Sequence, residues 1–153
     1  MRKLQQLTAY LEEHAGLDRE QVQSFADRGE LYPTGSDLGH GVELGRFKYD
    51  ALIQIENYSG DADVLLLLIL AWISEHDTNR DEDGLADPET DISLNDQDTA
   101  DIDIAVEFEE GLQIVPDENG PIPFDGRQWR VSDVPIDVAE ELENLEPQGD
   151  VAE

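Results

Sequence analysis

The sequence predicts an α+β fold, with two N-terminal helices, a mainly antiparallel β-sheet and one apolar helix packed on it. Leu4, Leu7 and Leu11 recur at helical spacing near the start. Apolar residues then alternate with polar ones from Phe47 to Ile55, and again from Ile102 to Phe108, which is the period of a half-buried strand. Between these two stretches lies Val64–Ile73, apolar at every position.

Residues 2–15 put their leucines on one helical face, and Gly16 supplies a stop. Asp18 reads as an N-cap with Glu20 and Gln21 behind it, which predicts a second short helix that buries Val22 and Phe25 and ends at Asp27-Arg28-Gly29. Leu31-Tyr32 is extended, and Pro33-Thr34-Gly35-Ser36 is a turn. Strand pattern runs from Gly41 to Tyr58, with Gly45-Arg46 as a candidate break or bulge. Tyr58-Ser59-Gly60-Asp61 turns the chain into a helix over about 61–76, with Ser59 or Asp61 as N-cap and Asp63 in the first turn, where the helix dipole favours negative charge. A helix apolar on all sides is expected to be buried on all sides, in the core or in a subunit interface.

Residues 77–90 form an acidic loop containing Gly and Pro. Strands return at Asp91–Leu94 and Asp101–Phe108, with Leu112–Val115 expected as a hairpin partner after Gly111. Ile122 with Phe124, and Trp129-Arg130-Val131, predict one or two further short strands. Residues 1–132 are thus expected to be a single α+β domain, and 133–153 an acidic, partly mobile tail in which Val138, Leu142 and Leu145 mark one weak helix.

A chain of 153 residues with 39 % apolar content can bury a real core. Val64–Ile73 falls short of the roughly 20 apolar residues that span a bilayer, and no signal-peptide pattern follows Met1-Arg2-Lys3. The chain therefore reads as a soluble protein that stays inside the cell or a particle assembled there. No cysteine is present, which excludes disulfides, thiolate zinc sites and cysteine nucleophiles.

The charge is −29, from thirty-eight acids against nine bases. Such a field repels nucleic acid and anionic membranes. A disordered acidic tail does not explain it, because the acids run through the strands as well. Mimicry of a nucleic-acid backbone is a second explanation. Adaptation to molar salt fits better: only Lys3 and Lys48 are lysines, and carboxylate-rich surfaces stay hydrated where the Debye length shrinks to about 3 Å.

No nucleophile elbow, phosphate loop or zinc-protease motif appears, and His14, His40 and His76 share no motif. No catalytic or cofactor-binding residue is therefore expected. The most specific chemical pattern is the acidic loop, where Asp77, Asn79, Asp81, Asp83 and Asp87 place oxygen ligands at alternate positions around Gly84. Alternating carboxylates and a bend-permitting glycine can wrap a hard cation such as calcium. Counted from Asn79, however, position 12 is Thr90 rather than the bidentate Glu of a calcium loop. An acidic surface loop is the plain alternative.

Several fragments in fixed order resemble one family. They are Phe25-Ala-Asp27-Arg-Gly29, Phe47-Lys-Tyr49, Tyr58-Ser-Gly60-Asp61-Ala-Asp63, Leu70-Ala71-Trp72-Ile73, and the Asp/Ile alternations at Asp91-Ile92 and Asp101–Ile104. Together, over about residues 3–115, they resemble the tail completion protein R family of tailed bacteriophages. The resemblance implies a structural virion protein, not an enzyme and without a cofactor. It would be assembled in the host cytoplasm and would complete or cap the head-proximal end of the tail so that head and tail can join. The implied partners are a homo-oligomeric ring, sixfold if it matches a tail tube, the tail tube protein itself, and head-proximal connector or completion proteins. Direct nucleic-acid and membrane contacts are not implied. Two rival classes remain: an acidic DNA-mimic inhibitor of a nucleic-acid-binding protein, and a calcium-binding interaction module.

Overall fold

The computed structural model describes residues 1–132; the C-terminal helix expected around Val138, Leu142 and Leu145 lies outside the described residues. The chain forms helix α1 (Arg2–His14), strands β1 (Val22–Asp37) and β2 (Val42–Tyr58), helices α2 (Ala62–His76) and α3 (Arg80–Asp83), then strands β3 (Glu89–Leu94), β4 (Ala100–Pro116), β5 (Ile122–Phe124) and β6 (Arg127–Val131). The strands pair in the order β1-β2-β4-β6-β5, and β3 adds to β4 off that path. The architecture is α+β, with more strand than helix. The described residues group into two compact units, one of residues 1–30 and 48–109 and one built on 31–47 and the chain from 110 onward.

In the first unit, helix α1 buries the predicted face of Leu4, Leu7 and Leu11. Tyr49, Ala51, Ile53 and Ile55 of β2, and Ile102, Ile104, Val106 and Phe108 of β4, are essentially inaccessible. Each large aliphatic or aromatic side chain buried in this way contributes about 1.5–3 kcal/mol. The Phe108 ring is the hub: Tyr49 lies 6.0 Å and Trp72 5.8 Å from it in edge-to-face geometry, an arrangement favoured by ring quadrupoles. Helix α1 packs against α2. On the far side of β4, β3 pairs antiparallel with Ile92 opposite Ile102 and Leu94 opposite Ala100.

In the second unit, β6 pairs with β4 (Val115 opposite Arg130) and with β5 (Ile122 opposite Trp129). Trp129 is buried there, and its indole N–H donates to the Phe124 carbonyl at 2.7 Å.

Three sequence expectations change. The second N-terminal helix does not form: Arg19–Gln21 is a single 3-10 turn closed by a capping box, and Val22 begins β1. The capping signal at Asp18 and Gln21 was real, but strand pairing with β2 supplied backbone partners that outweighed a weak helical propensity. Among the described residues β1 pairs with β2 alone, so it is largely exposed and lacks the alternation that marks a half-buried strand. The hairpin expected at Gly111 is likewise absent, because β4 runs unbroken from Ala100 to Pro116. Gly45 does not break β2 either. It permits close approach, since a Cβ there would lie 2.6 Å from the Tyr32 carbonyl oxygen on β1.

Candidate interaction surfaces

Helix α2 starts where the sequence placed it. The Asp61 carboxylate accepts the Asp63 N–H at 2.9 Å, which caps the first turn. Gly60 leaves room for the Tyr58 ring, since a Cβ there would sit 2.5 Å from the Tyr58 hydroxyl and the side chain would have to shift. Burial pushes the Tyr58 phenol above its ordinary pKa, and the Asp61 charge adds to the shift. Beyond the cap, the helix is not buried on all sides within its own chain, which leaves the subunit-interface half of the expectation open. Leu65, Ile69 and Trp72 face the core, whereas Val64, Leu67 and Leu70 are 47 %, 63 % and 52 % exposed. Spacings of three put those exposed residues on one stripe. A sheet covers only one side of a helix, so an all-apolar helix leaves apolar surface unless something else packs on it.

The acidic loop is organised by a base. Asp77 is buried, and its carboxylate accepts from Lys3 Nζ at 2.7 Å and from the Arg80 guanidinium at 2.6 Å. Arg80 also donates to the carbonyls of Glu107 at 2.8 Å and Ala86 at 2.6 Å, and stacks 5.9 Å from the Phe108 ring centroid. The Lys3 ammonium reaches the Glu109 carbonyl as well, at 3.2 Å. The loop is thereby tied to α1 and to β4. Of the five predicted oxygen ligands, Asp77 is engaged inside this cluster, Asn79, Asp81 and Asp83 lie on or beside the one-turn helix α3, and Asp87 follows it. Among the described residues, no group of three or more His, Asp or Glu side chains is arranged to hold a metal ion.

The three histidines are not brought together into one site. His14 stacks on Tyr10 (centroids 4.4 Å) at the end of α1, His76 lies 5.4 Å from the Trp72 ring at the end of α2, and His40 is in the exposed β1–β2 turn. A small polar network closes the turn between β3 and β4. There the Asp101 carboxylate accepts from the Asn57 N–H at 3.0 Å and the Asn95 amide at 3.1 Å, which holds its pKa below the ordinary carboxylate value.

The second unit carries a groove of about 470 Å³, lined almost wholly by apolar side chains that include Leu31, Leu44, Leu112, Ile114 and Val131. Its size falls in the range of natural binding pockets, but no acidic, basic or histidine side chain lines it. The groove was not foreseen from the sequence; for α2 the sequence offered core or subunit interface without saying which residues face which way. Leu31, Leu44 and Leu112 are scattered along the chain, and only strand pairing assembles them.

The model of the P2 phage tail completion protein R family matches residues 1–133. The chain belongs to that family. The match takes in both compact units as far as they are described, and extends beyond the stretch whose motifs carried the resemblance. The chain is also 26 % identical over 138 residues to an uncharacterised 19.2 kDa protein encoded in the rep–hol intergenic region of Haemophilus phage HP1, covering 83 % of this chain and 82 % of that relative. No solved structure matches. Membership of the tail completion protein R family gives the chain a structural role in a phage tail, and implies contacts with other tail or head–tail proteins. No described helix is long and apolar enough to cross a membrane.

Proposed function

We propose that this tail completion protein caps the head-proximal end of the tail and makes it competent to join the filled head. In this reading the protein acts as a closed ring, sixfold to match a tail tube, seated on the tube protein and facing the connector. The observation that carries the reading is the α2 stripe. Val64, Leu67 and Leu70 form an exposed, uncharged strip on a chain whose net charge is −29. Two such chains repel through their acidic faces, so an apolar strip is where contact costs least. In a ring each contact is heterologous, so the stripe of one subunit meets a different patch on the next. Family membership supports the tail role.

Deleting the gene tests the function. Expected are filled heads without tails, together with tails that cannot join them. Infectious particles from the deletion, or purified tails lacking the protein, would falsify the proposal. Leu67→Asp tests the surface. With Leu67 at 63 % exposure, this variant should keep its fold by circular dichroism but fail to rescue the deletion.

A further inference from the structure

The lining of the second-unit groove restricts what can occupy it. Leu31, Leu44, Leu112, Ile114 and Val131 contribute to the wall, and no acidic, basic or histidine side chain does. A charged group placed there would lose its water without gaining a partner, which is strongly unfavourable. Arg46 and Arg130 adjoin groove residues in sequence, but they are already engaged, at 3.0 Å with Glu43 and at 3.6 Å with Asp117. The groove therefore selects an uncharged, apolar occupant.

Helix α2 carries such a surface. From Val64 to Ser74 it has no charged side chain, and Val64, Leu67 and Leu70 stand exposed at spacings of three. Among the described residues no other helix exposes a large apolar side chain. Three anchors at this spacing extend over about 9 Å of helix, and a helix that lays such a stripe into an apolar groove is a recurring mode of recognition. Ile92 and Leu94 on β3 are exposed too. Beside them, however, Asp91 faces Asp103 across the ladder, so that strand would bring carboxylates to the groove. Charge also limits where two copies can touch. Each carries −29, so the stripe and the groove are surfaces that copies can join without setting carboxylate against carboxylate. A stripe meeting a groove is a head-to-tail contact: every copy offers one of each, and a closed ring satisfies them all.

We infer that the α2 stripe of one copy seats in the second-unit groove of the next copy, with Leu67 at the centre of the buried contact. The inference rests on the ring reading above and names the patch that the stripe meets.

A head-to-tail contact has two separable halves, and variants of the full chain can remove either one. Leu67→Asp spoils the stripe and leaves the groove, whereas Leu31→Asp, at 72 % exposure, spoils the groove and leaves the stripe. Leu94→Asp, on β3 at 85 % exposure, adds the same charge outside both surfaces and serves as the control. Association is followed by sedimentation velocity in about 2 M NaCl, where screening confines charge repulsion to within about 3 Å. Wild type and Leu94→Asp are expected to assemble alike. Leu67→Asp and Leu31→Asp should each lose at least roughly thirtyfold in self-association affinity, as for a central apolar anchor, with unchanged circular dichroism. Mixed in equal amounts, these two variants should form a dimer of twice the 17.1 kDa chain mass and grow no further, because one intact stripe and one intact groove remain. If Leu31→Asp alters the circular dichroism, Val131→Asp, at 58 % exposure in the same wall, takes its place. A monomeric wild type, a stripe or groove variant that assembles normally, or a mixture that stays monomeric would overturn the inference. So would equal weakening by Leu94→Asp. Wild-type rings that the variants do not disturb would end the stripe–groove contact and leave the tail reading standing. A stripe–groove dimer together with infectious particles from the gene deletion would do the reverse.

Discussion

The two compact units treat the same strands differently. In the first, the apolar residues of β2 and β4 are covered by α1 and α2, and Tyr49, Ile53, Ile104 and Phe108 are sealed from water. In the second, the continuation of those strands contributes Leu44, Leu112 and Ile114 to an open groove with no described helix over it. The first unit spends its apolar surface on its own stability, closed by the Lys3–Asp77–Arg80 cluster. The second leaves apolar surface available for docking. Helix α2 shows the same division within one element, since its Leu65 face is core and its Leu67 face is surface.

The largest expected effect comes from opening the first unit. Asp77→Ala leaves the Lys3 and Arg80 charges uncompensated in a largely buried site, and should cost about 3–5 kcal/mol, which lowers Tm by roughly 10 °C. A shift of only a degree or two would mean that the cluster contributes little to closing the core. Next, neighbouring leucines on α2 should behave oppositely. Leu65→Ala creates a core cavity at a cost of about 2–5 kcal/mol, whereas Leu67→Ala should stay within about 0.5 kcal/mol in chemical denaturation. Equal costs would erase the distinction between the two faces.

Salt addresses both units together. If the −29 charge is a halophilic adaptation, raising NaCl from about 0.1 M to about 2 M should raise Tm by screening carboxylate repulsion. A flat response would remove high salt as the origin of the charge. Calcium should act more locally. An ion bound through Asp81, Asp83 and Asp87 would raise Tm by mass action, and Asp81→Ala would abolish that rise; a Tm equal to that of chelated protein leaves the loop to Arg80.

The smallest effect belongs to the Asp101 network. Its pKa is depressed in the folded state, so its contribution is present above the ordinary carboxylate range and fades as pH falls through the folded value. Asn95→Ala removes one of the two donors and should move the Asp101 titration, followed by carboxyl NMR, upward towards the ordinary value.

Much of this molecule was legible in its sequence, for local reasons. The α1 face of Leu4, Leu7 and Leu11, the β2 alternation through Ile55, and the start of α2 at Asp61 each follow from a period or a cap contained within a few residues. The family fragments were legible too, because they are short, ordered and carried by distinctive aromatics and turns. The acidic loop was misleading in one respect: its alternating oxygens stand out in the sequence, while the buried Asp77–Arg80 pair that organises it does not.

What only the tertiary structure decided depended on partners remote in sequence. β1 became one strand because β2 offered it hydrogen bonds, although its residues read as a helix as far as Gly29, then as an extended pair and a turn. β4 ran through Gly111 because its partners change along its length, β3 at one end and β6 at the other. Whether a leucine of α2 is core or surface depends on which side the sheet occupies, and no pattern within a uniformly apolar run encodes that side. The groove arises in the same way, from leucines on β1, β2 and β4 that hydrogen-bonded strands bring together across dozens of residues of chain. Local periodicity determines which segments are regular, and long-range pairing determines which of their faces remain open to a partner.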